Sequence, residues 1–385
     1  MKKKKAKSVA LLIESSNAYC RGMLQGIAAY MHENEQWSIR LPELERDAPP
    51  PRWLKTWKGD GIIARIENEQ FADALRFSKI PLIDVSAARC IPKLPLVEID
   101  EAGIAEAAFD HLRERGFENL AFCGEAKFKW STLRQNAFVK RAADAGLACN
   151  VFQPLRSSRG RASIDRETKE LAKWLQSLPR PVAVLACYDL KARQILDICR
   201  EIPLRVPEDI ALLGVDNDEV LCDLATPPLS SVIPASRKIG YTAAQSLDHL
   251  MQGKKLKHHI QLIGPLGVAT RQSTEILAVE DLDVAEAMQF IRDHQSEHIN
   301  VQDVMAVVPV SRRSLEVRFR KIVGRTIYQE IIRLRIDRIC QLLVDSKLSL
   351  AQIARRTGFD SVEYMSVAFR RAKGMPPGRF RRNQP

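Results

Sequence analysis

Four polar residues sit where short apolar runs end. Val97-Glu98-Ile99 closes on Asp100, Leu185-Ala186-Cys187-Tyr188 on Asp189, and Leu213-Gly214-Val215 on Asp216 and Asn217. In a parallel sheet the carboxyl ends of strands are where ligands bind. Several carboxylates and an amide converging there suit a polyhydroxylated ligand, because each can pair with neighbouring hydroxyls. The alternative for each Asp is an N-cap of the following helix. A second group lies near the C-terminus, where Arg312, Arg313, Arg318 and Arg320 fall off an apolar stripe of Leu315, Phe319 and Ile322. Guanidinium groups on the free face of a helix suit phosphates and guanine edges. No catalytic set accompanies either group: there is no P-loop, GxGxxG or GxSxG, and His258-His259 are adjacent, a poor spacing for metal ligation. No catalytic residue, metal or cofactor is therefore expected, and the chain does not read as an enzyme.

The elements that must position these groups follow from pattern. Strand candidates are 8–15, 61–66, 81–86, 96–100, 119–124, 183–189 and 210–216, with helical patterns between them such as 20–32, 102–115, 134–145, 166–177 and 190–201. Such alternation, with strands apolar throughout, predicts parallel sheets covered on both faces. Two such lobes in tandem would leave a cleft between them. Val9–Ile13 is too short a run for a secretory leader, and no apolar run reaches eighteen residues, so no membrane partner is expected. The eight cysteines form no CxxC, which fits reduced thiols in a cytoplasmic protein.

Beyond Leu282 the strands stop. From residue 285 onward there are 19 Lys and Arg against 10 Asp and Glu, whereas residues 1–284 carry 40 against 37. The last quarter thus holds +9 of the net +12, the footprint of a nucleic-acid binder. Ser311 is an N-cap candidate for a helix over 312–322 that stops at Gly324; Ser349 opens another helix, Thr357-Gly358-Phe359 turns, and Asp360 or Ser361 caps a further one up to Gly374. A long helix over 326–346 joins these two helix-turn-helix units, an internal repeat of about fifty residues. Two recognition helices so joined can reach successive major grooves of duplex DNA.

Residues 8–277 resemble the ligand-binding core of the lactose/galactose repressor family, which has the periplasmic sugar-binding-protein fold. The likeness rests on VEIDEAGIAEAAFDHLRERGFENLAFCG (97–124), RQNAF (134–138) and, most characteristically, RVPEDIALLGVDN (205–217) followed by PPLSSV (227–232). The chain departs at Tyr188, where the family shows Asn, and at Lys191 and Arg193, where it shows small or polar residues. The resemblance implies a cleft lined by the loop Ser15, Asn17, Tyr19 and Arg21, by Asp100, by Arg134 as the sugar-binding fork, and by Asp189, Asp216 and Asn217. Trp130 or Trp174 would stack on a sugar face, with a core role as the alternative.

Residues 311–343 and 348–382 resemble the AraC/XylS family. The second unit follows its pattern, including Ala354 four residues before Gly358; the first has Met305 and Pro309 in place of Ala and the turn Gly. Pro excludes a left-handed turn residue, so an altered first turn is expected. The resemblance implies base-edge contacts from Ser311, Arg312, Arg313, Glu316 and Arg318, and from Ser361, Val362, Glu363 and Tyr364. Arg320, Lys321, Arg325, Arg370, Arg371 and Lys373 would hold the backbone.

A sugar-type core followed by a double reader resembles the xylose-operon regulators of bacteria. That order implies a basic tail (1–7), an α/β two-lobed sensor (8–277), a linker (278–284) and an all-α double helix-turn-helix domain (285–385). It further implies a cytoplasmic homodimer on an operator, a monosaccharide effector such as D-xylose, and contact with RNA polymerase as an activator. The open alternatives are a repressor, or a core that is a ligand-free dimerisation or protein-interaction module.

Overall fold

The computed structural model describes residues 6–34, 36–44, 48–152, 161–275, 281–294, 297–346 and 348–382, side chains excepted at 161–165, 341, 344 and 345. Its contacts divide into two units, 1–275 and 276–385.

The strands of the first unit are β1 (Ser8–Leu12), β2 (Ser38–Arg40), β3 (Gly61–Ala64), β4 (Leu82–Asp84), β5 (Leu96–Ile99), β6 (Asn119–Cys123), β7 (Cys149–Phe152), β8 (Val182–Ala186), β9 (Ile210–Val215), β10 (Ser230–Ile233), β11 (Ile260–Ile263) and β12 (Gly267–Ala269). Its helices are α1 (Ala18–Glu33), α2 (Glu69–Leu75), α3 (Glu101–Arg113), α4 (Lys129–Asp144), α5 (Arg161–Ser177), α6 (Asp189–Glu201), α7 (Glu219–Asp223) and α8 (Ser236–Met251). Two six-stranded sheets result, in the orders β11-β5-β4-β3-β1-β2 and β12-β10-β9-β8-β6-β7. All described pairings are parallel except β10 with β12. Val182–Ala186 and Ile210–Leu213 are fully buried, as strands covered on both faces must be.

The lobes are not the tandem halves that alternation suggests. The chain passes between them three times: after β5, between β10 and α8, and between β11 and β12. The first lobe therefore takes back α8 and β11 after β6 through β10 of the second lobe have been laid down, and β12 then returns to the second lobe. Helix α8 packs closely on α1, and a Cβ at Gly26 would meet the Arg237 carbonyl oxygen at 1.9 Å, while one at Gly240 would meet that of Met23 at 1.9 Å. Only glycine allows two helix backbones that near each other.

The second unit is helical: α9 (Leu282–Asp293), α10 (Val301–Val307), α11 (Arg312–Val323), α12 (Ile327–Asp345), α13 (Leu350–Arg356), α14 (Val362–Lys373) and α15 (Pro377–Arg382). Asp281 caps α9, so the last three residues of the expected linker are helical; 278–280 lie outside the described residues. So do residues 1–5 of the expected tail, while Lys7 pairs with Asp248 at 2.6 Å. Thr326 and Ser349 each form reciprocal caps with a Gln three residues on. Leu315 and Phe319 are buried as the stripe predicts, but Val323 (i+4 from Phe319) rather than Ile322 completes it.

Candidate functional site: an interlobe cleft and a double DNA reader

The cleft of the first unit is lined by Asn17, Tyr19, Arg65, Glu98, Ile99, Glu101, Trp130, Arg134, Asp216 and Pro234, with Ala87. Arg134 is buried on α4. Its Nε donates to Glu101 at 2.7 Å and Nη1 to the Cys187 carbonyl, which leaves Nη2 without a hydrogen-bond partner among the described residues. Trp130, one turn earlier, lies 5.3 Å beneath the Arg134 guanidinium. It is held by Phe128, stacked at 5.2 Å, and by Tyr188, edge-on at 5.7 Å. From the other lobe, Tyr19 donates to Glu98, and Arg65 bridges Glu14 (3.2 Å) and Glu67 (2.9 Å). Burial pushes Glu98 up to about 8 against the pull of Arg65, and raises Glu101 against the pull of Arg134. Even with Glu98 protonated at neutral pH, Glu101 and Asp216 match the two lining guanidiniums, so the cleft has no excess positive charge to hold a phosphorylated ligand. An aromatic face beside bidentate acceptors and a fork donor suits a neutral sugar.

Several expected residues do other work. Asp100 caps α3, its Oδ1 accepting from the Ala102 N–H at 3.1 Å; its neighbours Glu98 and Glu101 line the cleft instead. Asp189 lies behind the cleft. Its carboxylate accepts from Ser231 Oγ (2.7 Å) and the Asp218 N–H (2.8 Å), with Cys222 Sγ at 3.5 Å. Burial, then the nearby Asp216 charge, holds it well above the carboxylate range. Asp100 is thus held by a backbone N–H of its own helix, and Asp189 by a hydroxyl and a backbone N–H from the neighbouring strand ends. Ser15 is exposed and offers only its carbonyl to Arg21. Arg21 reaches across the lobes to Asp218 at 3.4 Å. Asn17 caps α1 through Cys20 N–H at 2.8 Å while lining the cleft. Trp174 packs on Phe152 in the second lobe's core.

Asp216 and Asn217 hold φ of 108° and 46°, a costly region for residues other than glycine. The turn is fixed by residues the sequence reading missed. Ser231 Oγ accepts from the Asn217 N–H at 2.9 Å, and Arg271 Nη1 donates to Asn217 Oδ1 at 2.9 Å while its Nε pairs with Asp223. Arg65, Glu98 and Glu101 were also missed. Their signal was a charged residue inside or beside an apolar strand. Behind Trp130, Tyr188 donates to Glu125 at 2.8 Å, and the buried Lys191 lies 3.6 Å from the same Glu125 and 3.1 Å from Glu167; two departures from the repressor pattern, Tyr188 and Lys191, thus brace the aromatic wall.

In the second unit Ser311 and Ser361 are helix caps, accepting from the N–H of Ser314 (3.4 Å) and Tyr364 (3.1 Å). Val362 packs against the core. Arg318, partly exposed, reaches toward α9, where Nη1 lies 2.9 Å from Asp281 and Nη2 2.8 Å from Asp283. These four were expected at bases; within the chain they make these caps, core contacts and ion pairs. Arg325 pairs with the buried Glu330 at 3.2 Å, and Lys373 with Asp337 at 3.4 Å. Arg312 pairs along its helix with Glu316 at 2.8 Å. Tyr364 meets the Tyr328 hydroxyl. Arg313, Arg320, Lys321, Glu363, Arg370 and Arg371 are exposed.

Three family models match: an XylR N-terminal domain over 8–101, a periplasmic binding protein-like domain over 109–274 and a helix-turn-helix domain over 304–383. Curated relatives include the xylose operon regulatory protein of Escherichia coli (strain K12), 31% identical over 97% of this chain and 96% of its own. That of Haemophilus influenzae is 30% identical over 97% and 98%. Among solved structures, that of a xylose-binding transcription activator has a TM-score of 0.82 and 30% identity, covering 98% of each chain. A cellobiose complex of a transcriptional regulator, 18% identical with a TM-score of 0.58 over 71% of this chain and 86% of its own, shares the sensor fold alone. Among the described residues no helix is long and apolar enough to cross a membrane. An α/β two-lobed sensor joined to an all-α double helix-turn-helix domain, with relatives matched end to end that are transcription regulators and not enzymes, leaves one assignment: the chain belongs to the family of xylose operon regulatory proteins.

Proposed function

We propose that this protein is a D-xylose-responsive transcription activator. Its sensor, over about 8–277, would take the sugar in the cleft, and its reader, ending at 385, would bind operator DNA. It would act in the cytoplasm as a homodimer that contacts RNA polymerase. Asn17, Tyr19, Glu98, Glu101, Arg134 and Asp216 are the proposed sugar contacts, with Trp130 against an apolar face. Arg312, Arg313, Glu316, Glu363 and Tyr364 are the proposed base-side residues; Arg320, Lys321, Arg370 and Arg371 are the proposed phosphate contacts.

One observation carries this reading: Arg134, Glu101 and Trp130 meet Tyr19 and Glu98 of the opposite lobe in one cleft. A ligand held by both lobes favours one lobe arrangement over another, and only such differential binding can shift an equilibrium. The test is calorimetric titration of the full chain with D-xylose, L-arabinose, D-ribose and D-glucose. D-xylose should give the strongest heat, and Arg134→Met should abolish it. No heat from any sugar would favour the ligand-free interaction module.

A further inference from the structure

The two recognition helices repeat in register fifty residues apart. Ser311 and Ser361 cap them, Leu315 and Met365 are fully buried, as are Phe319 and Phe369, and Gly324 and Gly374 stop them at φ of 75° and 72°. Midway between the buried pairs stand Val317 and Val367, exposed by 62% and 66%. Two residues from each buried neighbour is about 200° around a helix, so both valines point straight away from their cores. On the same outward stripe, four residues before and three after, lie Arg313 and Arg320 in one helix and Glu363 and Arg370 in the other. A single exposed valine needs no explanation. A β-branched residue is also a weak helix former, yet one stands at the same outward position of both helices, amid charged side chains. In a major groove the apolar group on offer is the thymine methyl.

We infer that Val317 and Val367 each contact a thymine methyl and so specify one thymine per reader, the two lying about one turn of duplex apart. The inference rests on the reading of the second unit as a DNA binder. The pair would be specificity-determining side chains, distinct from Arg320, Lys321, Arg370 and Arg371, the proposed phosphate contacts that supply affinity.

The test uses the full-length chain with D-xylose present. A binding sequence is selected from random duplexes, and each of its thymines is then replaced in turn by uracil, which lacks only the methyl. One thymine per reader should lose about three- to fivefold in affinity on replacement, the worth of one buried methyl. Val317→Ala should erase the loss at the first position only, and Val367→Ala at the second only. Alanine is the better helix former, so both variants keep the fold. A selected site insensitive to uracil throughout, or variants that keep the wild-type sensitivity, would overturn the inference and leave DNA binding standing. Failure to enrich any duplex would overturn both.

Discussion

The two helix-turn-helix units reach the same cap, stripe and stop by different turns. In the first, Asn300 and Ser311 cap the successive helices eleven residues apart; in the second, Ser349 and Ser361 are twelve apart. The missing residue lies in the turn. In the second unit Gly358 is left-handed at φ 67°, and the Phe359 N–H reaches back to the Ala354 carbonyl at 3.0 Å, closing the helix as glycine stops usually do. In the first unit Val308 is extended (φ −110°, ψ 124°), Pro309 follows, and the Val310 N–H donates to the Val308 carbonyl at 2.9 Å. The second turn is also locked from outside: a Cβ on Gly358 would meet the Glu297 carbonyl oxygen at 2.3 Å and the Arg335 guanidinium at 2.9 Å. The requirement conserved between the units is the N-cap that starts the recognition helix. The turn chemistry before it is free to differ.

That contrast is sharpest at Gly358. Gly358→Ala adds a strained left-handed residue, about 1–2 kcal/mol, and a collision with backbone, so the reader should lose more than about 3 kcal/mol. All five tryptophans precede residue 275, so tryptophan fluorescence follows the sensor alone, and the change in helical circular dichroism that does not track the fluorescence follows the reader. A loss below about 1 kcal/mol would mean that the second turn is as adaptable as the first. Next is Arg335→Met. Arg335 Nη2 donates to the carbonyls of Glu297 (3.1 Å) and Ile299 (2.9 Å), tying the approach to the first unit against the second unit's turn. Removing it strands acceptors and should cost about 2–3 kcal/mol.

Ser311→Ala and Ser361→Ala should each cost about 1 kcal/mol. Equality between them is the point, since the caps are what the units share; a difference above about 1 kcal/mol would break the comparison. The smallest effect should be Pro309→Ala, within about 1 kcal/mol and acting mainly through the unfolded chain. An effect matching Gly358→Ala would show that the first turn is locked too.

The repeat was legible because caps, stripes and glycine stops are local rules, and each is written within a dozen residues. An altered first turn was also legible, from Pro309 alone, but not that it is one residue shorter. Less legible was which of several neighbouring polar residues faces a partner. Asp100 and Asp189 stand at strand ends as read, but each found a backbone N–H within reach. Glu98 and Glu101 then took the positions on the cleft. Arg318 likewise met Asp281 and Asp283, partners thirty-five and more residues away in sequence. Strands β11 and β12 went unread because they are short edge strands of three or four half-exposed residues, without the apolar run that marked β8 and β9. The three crossings between lobes have no local signature, since they depend on which sheet edge a late strand joins.

Those crossings set an order of assembly during synthesis. The second lobe has most of its strands in one continuous stretch, β6 through β10. The first lobe begins the chain, yet its glycine-lined helix α1 has no α8 to pack on until Met251 is made, and its sheet edge beside β5 stays open until Ile263. At about 5–20 residues per second, that is a wait of roughly eight to thirty seconds after β5 has left the ribosome. The lobe translated first is thus still incomplete when five of the second lobe's six strands have been made, and its apolar face and open edge are what a nascent chain of this family must keep from other partners in the interval.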